Sequence, residues 1–299
     1  MSTTRRFKKR YLLLLPVLIF PFFSDSCMRM RMAPEETAVY FESNGISFQD
    51  KTAVLGDYEL HYIETGDPTA HTLLMLHGSP GAWDAYKTYL SDPVLAEQFR
   101  LVAVDRPGFG FTSFGSSMNL NQQAELLTQF ARSIDNQKGF TLMGHSYGGP
   151  LTVAMGIKGQ DVFERLVVVA GSLDPAAEKP EKWRIPIKAF PLKYYVPGSL
   201  RTSNEELWML KEDLYDLAPK LKEVTQEVYL IHGTEDMLVP YSNVPFMEKE
   251  MSSARSIRTW TMPDKKHFIL WEEESAIKDS LLVWMKPAKP VQPIDSILQ

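Results

Sequence analysis

The chain is short of the residues that build disulfide frameworks and metal sites. Cys27 is the only cysteine among 299 residues, so no internal disulfide can form. The six histidines are scattered and follow no H-E-x-x-H pattern, and there is no glycine-rich phosphate loop. We therefore expect neither a metal nor a cofactor.

An excess of positive charge is also lacking. Lysine and arginine total 32 against 37 acidic residues, a net charge of −5 that implies no basic face and excludes a nucleic-acid partner. No apolar run reaches the roughly 20 residues of a membrane-spanning helix. With 44% hydrophobic and 23% charged residues, the composition is ordinary for a globular domain with a sizeable core.

The N-terminus departs from this average. Cations crowd residues 5–10, an almost entirely apolar run follows over 11–23, and Ser24-Asp25-Ser26-Cys27 comes next, which is the layout of a secretory signal. Ser24 and Ser26 are the small residues expected before a cleavage site at Cys27. The placement of Cys27 resembles a bacterial lipoprotein signal, although Ser24 stands where an aliphatic residue is usual.

We therefore expect residues 1–27 to be a signal peptide or membrane anchor. The protein is then a lipoprotein, carries a short uncleaved anchor or is secreted, and it belongs to the cell envelope or the exterior and not to the cytoplasm. A linker at 28–45, one domain at 46–286 and an extended tail at 287–299 complete the expected organisation.

Hydrophobic patterning predicts an α/β fold. Residues 52–55 and 58–63 flank Gly56-Asp57, which is typical of a two-residue β-hairpin. Later runs are continuously apolar, as in parallel strands covered on both faces, and helical patterns separate them. These runs lie at residues 73–76, 101–104, 166–170 and 228–231. Asn119, with Gln122 three residues on, is a possible cap of one of the helices, and another helix is expected from about residue 204 to residue 221. The sequence predicts a mostly parallel, doubly wound sheet with an N-terminal antiparallel hairpin.

The most informative motif is Gly-His-Ser-Tyr-Gly at residues 144–148. It follows the apolar run 140–143 and precedes a helical pattern, so it predicts a nucleophile elbow, a sharp strand-to-helix turn that exposes Ser146. A serine hydroxyl is a weak nucleophile at neutral pH and needs a base beside it.

Other loops follow predicted strands and carry the groups that such a serine needs. The His-Gly-Ser-Pro-Gly turn at 77–81 offers the Ser79 N–H, which with the Tyr147 N–H is a candidate oxyanion hole. Asp236 is the candidate acid and His267 the candidate base, in the chain order serine, acid, histidine. We expect Glu235 to face solvent.

The loop at residues 105–110 has a different interpretation. Its sequence is Asp-Arg-Pro-Gly-Phe-Gly, and we expect Asp105 and Arg106 to be paired scaffold charges in a structural turn.

Together these motifs resemble the α/β-hydrolase superfamily, in its serine-nucleophile branch, from about residue 55 to residue 284. The resemblance implies Ser146 as nucleophile, His267 as general base, Asp236 as acid and the N–H groups of Ser79 and Tyr147 as the oxyanion hole. It also implies a short cap, inserted after the sixth strand, where five prolines and several aromatic residues break the pattern at about 171–203. Lys266 departs from the glycine that the family often has before the base.

Several alternatives stay open. Asp174 also follows a strand and is a rival acid, and Trp83 is a candidate substrate-binding residue. The resemblance implies hydrolysis of a small-molecule carboxylic ester or related acyl bond through an acyl-enzyme, while the same triad would serve an aminopeptidase, a C–C hydrolase or a cofactor-free haloperoxidase. An epoxide hydrolase or haloalkane dehalogenase is disfavoured because those enzymes attack with a carboxylate, and position 146 is serine. A membrane-tethered binding protein on a hydrolase scaffold is the non-enzymatic alternative.

Overall fold

The structure is a computed structural model that describes residues 30–113, 117–179, 181–190, 192–196 and 198–285. The predicted signal or anchor, residues 1–27, and the predicted tail, residues 287–299, therefore lie outside the described residues. Eight strands form one sheet in the order β1-β2-β4-β3-β5-β6-β7-β8. The strands are β1 (Phe48–Leu55), β2 (Tyr58–Gly66), β3 (Thr72–Leu76), β4 (Arg100–Val104), β5 (Phe140–His145), β6 (Phe163–Val169), β7 (Glu227–Gly233) and β8 (Ser256–Met262).

Strand pairing confirms the predicted topology. β1 and β2 are antiparallel with Leu55 opposite Tyr58, so Gly56-Asp57 forms the turn, and Gly56 takes the positive φ of +62° that this tight turn requires. β2 pairs antiparallel with β4, and the remaining six strands are parallel. The sheet is therefore parallel apart from its N-terminal hairpin.

Helices cover both faces of this sheet. They are α1 (Pro34–Ser43), α2 (Lys87–Leu90), α3 (Pro93–Gln98), α4 (Leu120–Ser133), α5 (Gly148–Lys158), α6 (Arg184–Lys188), α7 (Gly198–Leu217), α8 (Asn243–Glu250), α9 (Ile269–Glu272) and α10 (Glu274–Trp284). Short 3₁₀ helices lie at Trp83–Tyr86, Leu192–Tyr195 and Ala218–Glu223. Within the described part of the chain, no helix combines the length and apolarity needed to cross a membrane.

The continuously apolar strands divide their side chains between two hydrophobic clusters. In β3, Leu74 and Leu76 point to one cluster, and Leu73 and Met75 point to the other. The first cluster includes α4 and α5, and the second includes α10. Alternation on one strand thus fills both layers, which explains why these strands carry no polar face.

Local signals explain where two helices begin. The Asn119 side chain accepts the Gln122 N–H, and the Gln122 side chain accepts the Asn119 N–H, so a capping box starts α4 as the sequence predicts. α7 begins earlier than the expected position near residue 204, because Pro197 is the last of the five prolines and nothing after it obstructs a helix.

The predicted linker at 28–45 contains the helix α1. Phe41 on this helix is fully buried and stacks on Phe48, with 4.7 Å between ring centroids, and on Trp83 at 6.0 Å. The segment is mostly polar in sequence, and the burial of Phe41 is what attaches it to the core.

Between β6 and β7, residues 170–226 form an insertion that includes α6 and α7. Helix α7 is attached to the body through Arg106, which is fully buried and makes a two-pronged ion pair with Glu206 of α7, with N–O distances of 2.9 Å. The other guanidinium N–H groups donate to Gln123 of α4 and to the backbone carbonyls of His77 and Gly78, so all five donors are satisfied.

The expected pairing of Asp105 with Arg106 is therefore wrong. Asp105 accepts hydrogen bonds from His61 Nδ1 at 2.7 Å and from the backbone N–H groups of Trp83 and Phe111. Adjacent residues on an extended segment point in opposite directions, so Asp105 and Arg106 bind partners on opposite sides of the chain.

We predict that Glu206→Ala lowers the free energy of unfolding by about 3–5 kcal/mol, because it leaves the buried Arg106 guanidinium without its counter-ion. Urea unfolding followed by circular dichroism measures this change. Asp161→Ala is the matched control, because it breaks the solvent-exposed pair with Arg132, which is worth about 1 kcal/mol or less. Equal losses in the two variants would show that the buried pair contributes no more to stability than the exposed one.

Candidate active site

Ser146 occupies the sharp turn between β5 and α5. Its φ is +56°, a region that serine rarely adopts, and its N–H donates to the carbonyl of Val169 at the end of β6. The flanking glycines allow the turn: a Cβ on Gly144 would lie 2.0 Å from the Gly148 carbonyl oxygen, and one on Gly148 would lie 2.2 Å from the Leu76 oxygen. The strained turn presents Ser146 at the carboxyl ends of the strands, as the motif predicts.

Asp236 and His267 meet at the same edge of the sheet. His267 Nδ1 donates to Asp236 Oδ2 at 2.7 Å, which leaves Nε2 as the second ring nitrogen. The other carboxylate oxygen of Asp236 accepts the N–H groups of Leu238 and Val239 at 2.9 and 2.8 Å. Burial raises the pKa of Asp236, but the hydrogen bond and charge of His267 outweigh burial and hold that pKa below its ordinary value.

The two other carboxylates near this loop do not reach the imidazole in this way. Asp174 accepts the Ala176 N–H in a turn, and its own N–H is bound by Asn243. Glu235 is exposed, as expected. Of the acids considered from the sequence, Asp236 is the one that the structure brings to His267.

The ring of His145 lies next to the ring of His267. Its ring centroid is 4.9 Å from that of His267, and its Nε2–H donates to the backbone carbonyl of His267 at 3.1 Å. Complete burial, followed by repulsion from His267, lowers the pKa of His145 to about 3. His145 is therefore neutral and supports the loop that carries His267.

The predicted oxyanion residues lie beside Ser146. A Cβ on Gly78 would come within 3.1 Å of the Ser146 Cβ, so the loop that carries Ser79 packs against the nucleophile turn. Tyr147 is the N-cap residue of α5, and the N-terminus of a helix favours an anion. The Ser79 hydroxyl donates to Ser203 of α7 at 2.8 Å, so the insertion helix also contacts this loop.

A cavity of about 940 Å³ joins these elements. Its walls come from the nucleophile turn, the oxyanion loop, the loops of Asp236 and His267, and the insertion. The residues that line it include Ser79, Asp84, His145, Ser146, Tyr147, Leu207, Leu210, Leu238, His267, Phe268 and Trp271. The insertion thus covers the serine, and its contribution extends past residue 203 to α7.

Trp83 does not line this cavity. It is 1% exposed and packs on Phe41, while the neighbouring Ala82, Asp84 and Ala85 face the cavity. The 3₁₀ turn that begins at Trp83 sends its large ring into the core under α1, so the expected substrate contact is wrong.

Two supporting residues were missed from the sequence. His145 could have been found from its position inside the Gly-x-Ser-x-Gly motif. Glu206 lies on the buried face of α7 with Leu210 and Leu217. A carboxylate among the apolar positions of a helix indicates a buried charge, which needs a cation as its partner.

Comparison with known proteins supports the fold. The family model described as the alpha/beta hydrolase fold matches residues 71–195. Pimeloyl-[acyl-carrier protein] methyl ester esterase of Nitrosomonas europaea is 24% identical over 240 residues, which cover 66% of this chain and 89% of that protein. Epoxide hydrolase 3 of Xenopus tropicalis is 29% identical over 112 residues, which cover 36% of this chain and span only 30% of the length of that relative.

A solved structure of a membrane phospholipase A, a bacterial virulence factor, aligns with a TM-score of 0.64 at 20% identity, covering 96% of this chain and 100% of that chain. At this identity the likeness establishes the fold. With the eight-stranded sheet, the serine turn and the match of residues 71–195 to the family model, the chain has the α/β-hydrolase fold.

Proposed function

We propose that the protein hydrolyses carboxylic esters through an acyl-enzyme on Ser146. The observation that carries the proposal is the convergence of the strained Ser146 and the His267–Asp236 pair on one cavity. A poised alcohol, a base and an acid that orients the base are the parts that acyl transfer by serine requires.

Each residue has a defined role in this mechanism. His267 takes the Ser146 proton through Nε2 as the hydroxyl attacks the carbonyl carbon of the substrate. Asp236 fixes the tautomer with the proton on Nδ1 and stabilises the imidazolium that forms. The N–H groups of Ser79 and Tyr147 bind the oxyanion, and the imidazolium of His267 protonates the leaving alcohol as the ester bond breaks. His267 then takes a proton from a water molecule, which attacks the acyl-enzyme and releases the carboxylic acid and Ser146.

Serine chemistry separates this proposal from epoxide opening, although some relatives are named epoxide hydrolases. Attack by Ser146 on an epoxide carbon would form an ether, which water does not cleave under these conditions. Attack on an ester forms a new ester, which the same base can hydrolyse. A side-chain alcohol therefore supports turnover of acyl substrates and not of epoxides.

Apolar side chains over the serine suit the acyl part of such a substrate. Leu207 and Leu210 of α7 and Phe268 and Trp271 beyond the base line the cavity. The named activity of the Nitrosomonas europaea relative, a methyl ester esterase, supports the choice of an ester bond.

The cavity also holds a carboxyl that has no role in this mechanism. Burial raises the pKa of Asp84 to about 6, and the nearby Asp105 carboxylate adds to the rise. The unfolded chain keeps the ordinary value of 3.8. Ionisation is therefore less favourable in the folded state, and the stability associated with protonated Asp84 is lost as the pH rises from about 4 through about 6.

We predict that Ser146→Ala lowers kcat for p-nitrophenyl esters on the order of 10⁶-fold, because no nucleophile remains. The same variant loses labelling by a fluorophosphonate probe while its circular dichroism is unchanged. Ser280→Ala on α10 is the matched control and keeps both activities. Turnover retained in Ser146→Ala would refute the mechanism.

We predict that Asp236→Asn lowers kcat by about 10³–10⁴-fold, because the amide cannot stabilise the imidazolium and favours the wrong tautomer of His267. Asp174→Asn is the comparison, and it retains kcat within about twofold because its carboxylate lies in a separate turn. Steady-state kinetics on one ester measures both. The reverse order of the two effects would assign the acid to Asp174.

We predict that Asp84→Asn stabilises the protein increasingly with pH. Relative to the native chain, its free energy of unfolding rises by up to about 3 kcal/mol between about pH 4 and pH 8, because the variant has no carboxyl to ionise. Asp57→Asn in the exposed hairpin turn is the control. A gain that is equal at both pH values would exclude this origin.

A further inference from the structure

The outer surface of the insertion exposes an unusual group of large apolar side chains. We call this group the cap patch, and it consists of Trp183, Ile185, Phe190, Leu192 and Tyr194, which are between 41% and 81% exposed. Phe190 and Tyr194 are in edge contact at 6.2 Å between ring centroids. α6 packs against the 3₁₀ helix Leu192–Tyr195, so these side chains belong to one continuous surface segment. A contiguous exposed apolar patch of this kind marks a site of interaction.

The same segment is cationic, although the whole chain is acidic. Residues 179–196 contain Lys179, Lys182, Arg184, Lys188 and Lys193 against the single acid Glu181. Lys179 and Lys182 are exposed, and Glu181 is engaged with Arg184. Aromatic side chains flanked by lysines are the combination that binds at the boundary between the headgroups and acyl chains of an anionic membrane.

The N-terminal end of the described chain lies on the same side of the molecule. Met30 and Arg31 line the catalytic cavity together with Lys179, Glu181 and Arg184 of the insertion. Three peptide steps, or at most about 11 Å of chain, connect Met30 to Cys27. The segment that the sequence predicts to enter a membrane therefore joins the domain at the cavity that is also lined by cationic residues from the cap-patch segment.

We propose that the cap patch docks on a lipid bilayer that carries anionic headgroups, with the cavity mouth facing the membrane. Three independent features agree on this partner: the apolar side chains, the local positive charge and the attachment point of the N-terminal segment. The inference concerns binding and holds whatever bond Ser146 cleaves. Where the substrate is an ester, docking would let it pass from the bilayer to Ser146 along the apolar wall formed by Leu207 and Leu210.

The test must separate the cap patch from the N-terminal segment, because residues 1–27 alone would hold the protein on a vesicle. The full chain is prepared with Cys27→Ser, so that one introduced cysteine is the only thiol. An environment-sensitive fluorophore is attached either at Phe190→Cys or at Val283→Cys. Val283 is 69% exposed on α10, and its neighbour Trp284 contacts Tyr229 near the start of β7, whereas Ser146 lies at the carboxyl ends of the strands.

Both proteins are mixed with phosphatidylcholine vesicles containing about 30% phosphatidylglycerol. The proposal requires a blue shift of the label at position 190 and its quenching by nitroxide-labelled acyl chains, while the label at position 283 shows neither. Flotation confirms that both proteins are on the vesicles. A label at position 190 that stays in water on floated protein overturns the proposal.

Two further measurements test the partner. Lys182→Gln weakens insertion of the label at position 190 by about fivefold, whereas Lys249→Gln on α8, also an exposed lysine, leaves it unchanged. Equal insertion into vesicles of phosphatidylcholine alone would contradict the role of charge. A blue shift that grows with protein concentration without vesicles would show that a second copy covers the patch, and would also overturn the proposal.

Discussion

The buried guanidinium of Arg106 is the constraint on which the site depends. It joins Glu206 of the insertion, Gln123 of α4 and the carbonyls of the oxyanion loop, with no donor left over. The Cζ atom of Arg106 also lies 4.6 Å from the centre of the Tyr147 ring. Moving a charged pair out of water is costly unless every hydrogen bond is made, so this geometry tolerates little displacement. The loop of Ser79, the start of α5 and the helix over the cavity are therefore held in one arrangement.

This constraint divides the insertion into two parts with different roles. α7 is fixed by Glu206, by the Ser203 contact to Ser79 and by the Thr202 hydroxyl, which donates to the Gly108 carbonyl. The segment around α6 instead turns its aromatic side chains to solvent. Because α7 is held in place, the arrangement around Ser146 is preserved when the surface around α6 binds a partner. One short insertion can thus line the cavity with α7 and carry the proposed docking surface around α6.

Features that depend on a few adjacent residues could be predicted from the sequence, whereas contacts between residues far apart in the chain could not. The elbow at Ser146, the hairpin at Gly56-Asp57 and the capping box at Asn119 each follow from a few adjacent residues, because glycine conformations and side-chain caps act over one turn. The partner of Arg106 lies 100 positions along the chain, on a helix whose path depends on the insertion. Trp83 shows the same limit: its neighbours line the cavity, and only the packing of Phe41 reveals why its ring does not.

His145 and His267, whose ring centroids are 4.9 Å apart, differ in role because the Asp236 carboxylate binds His267 and not His145. Asp236 binds His267 Nδ1 directly, whereas His145 is wholly buried and neutral, with its pKa lowered to about 3. A charged His145 would repel an imidazolium at 4.9 Å and oppose proton transfer from Ser146. As a neutral donor it holds the His267 carbonyl without competing for the proton. Because burial keeps His145 neutral, no cation there repels the positive charge that develops on His267, and Asp236 stabilises that charge.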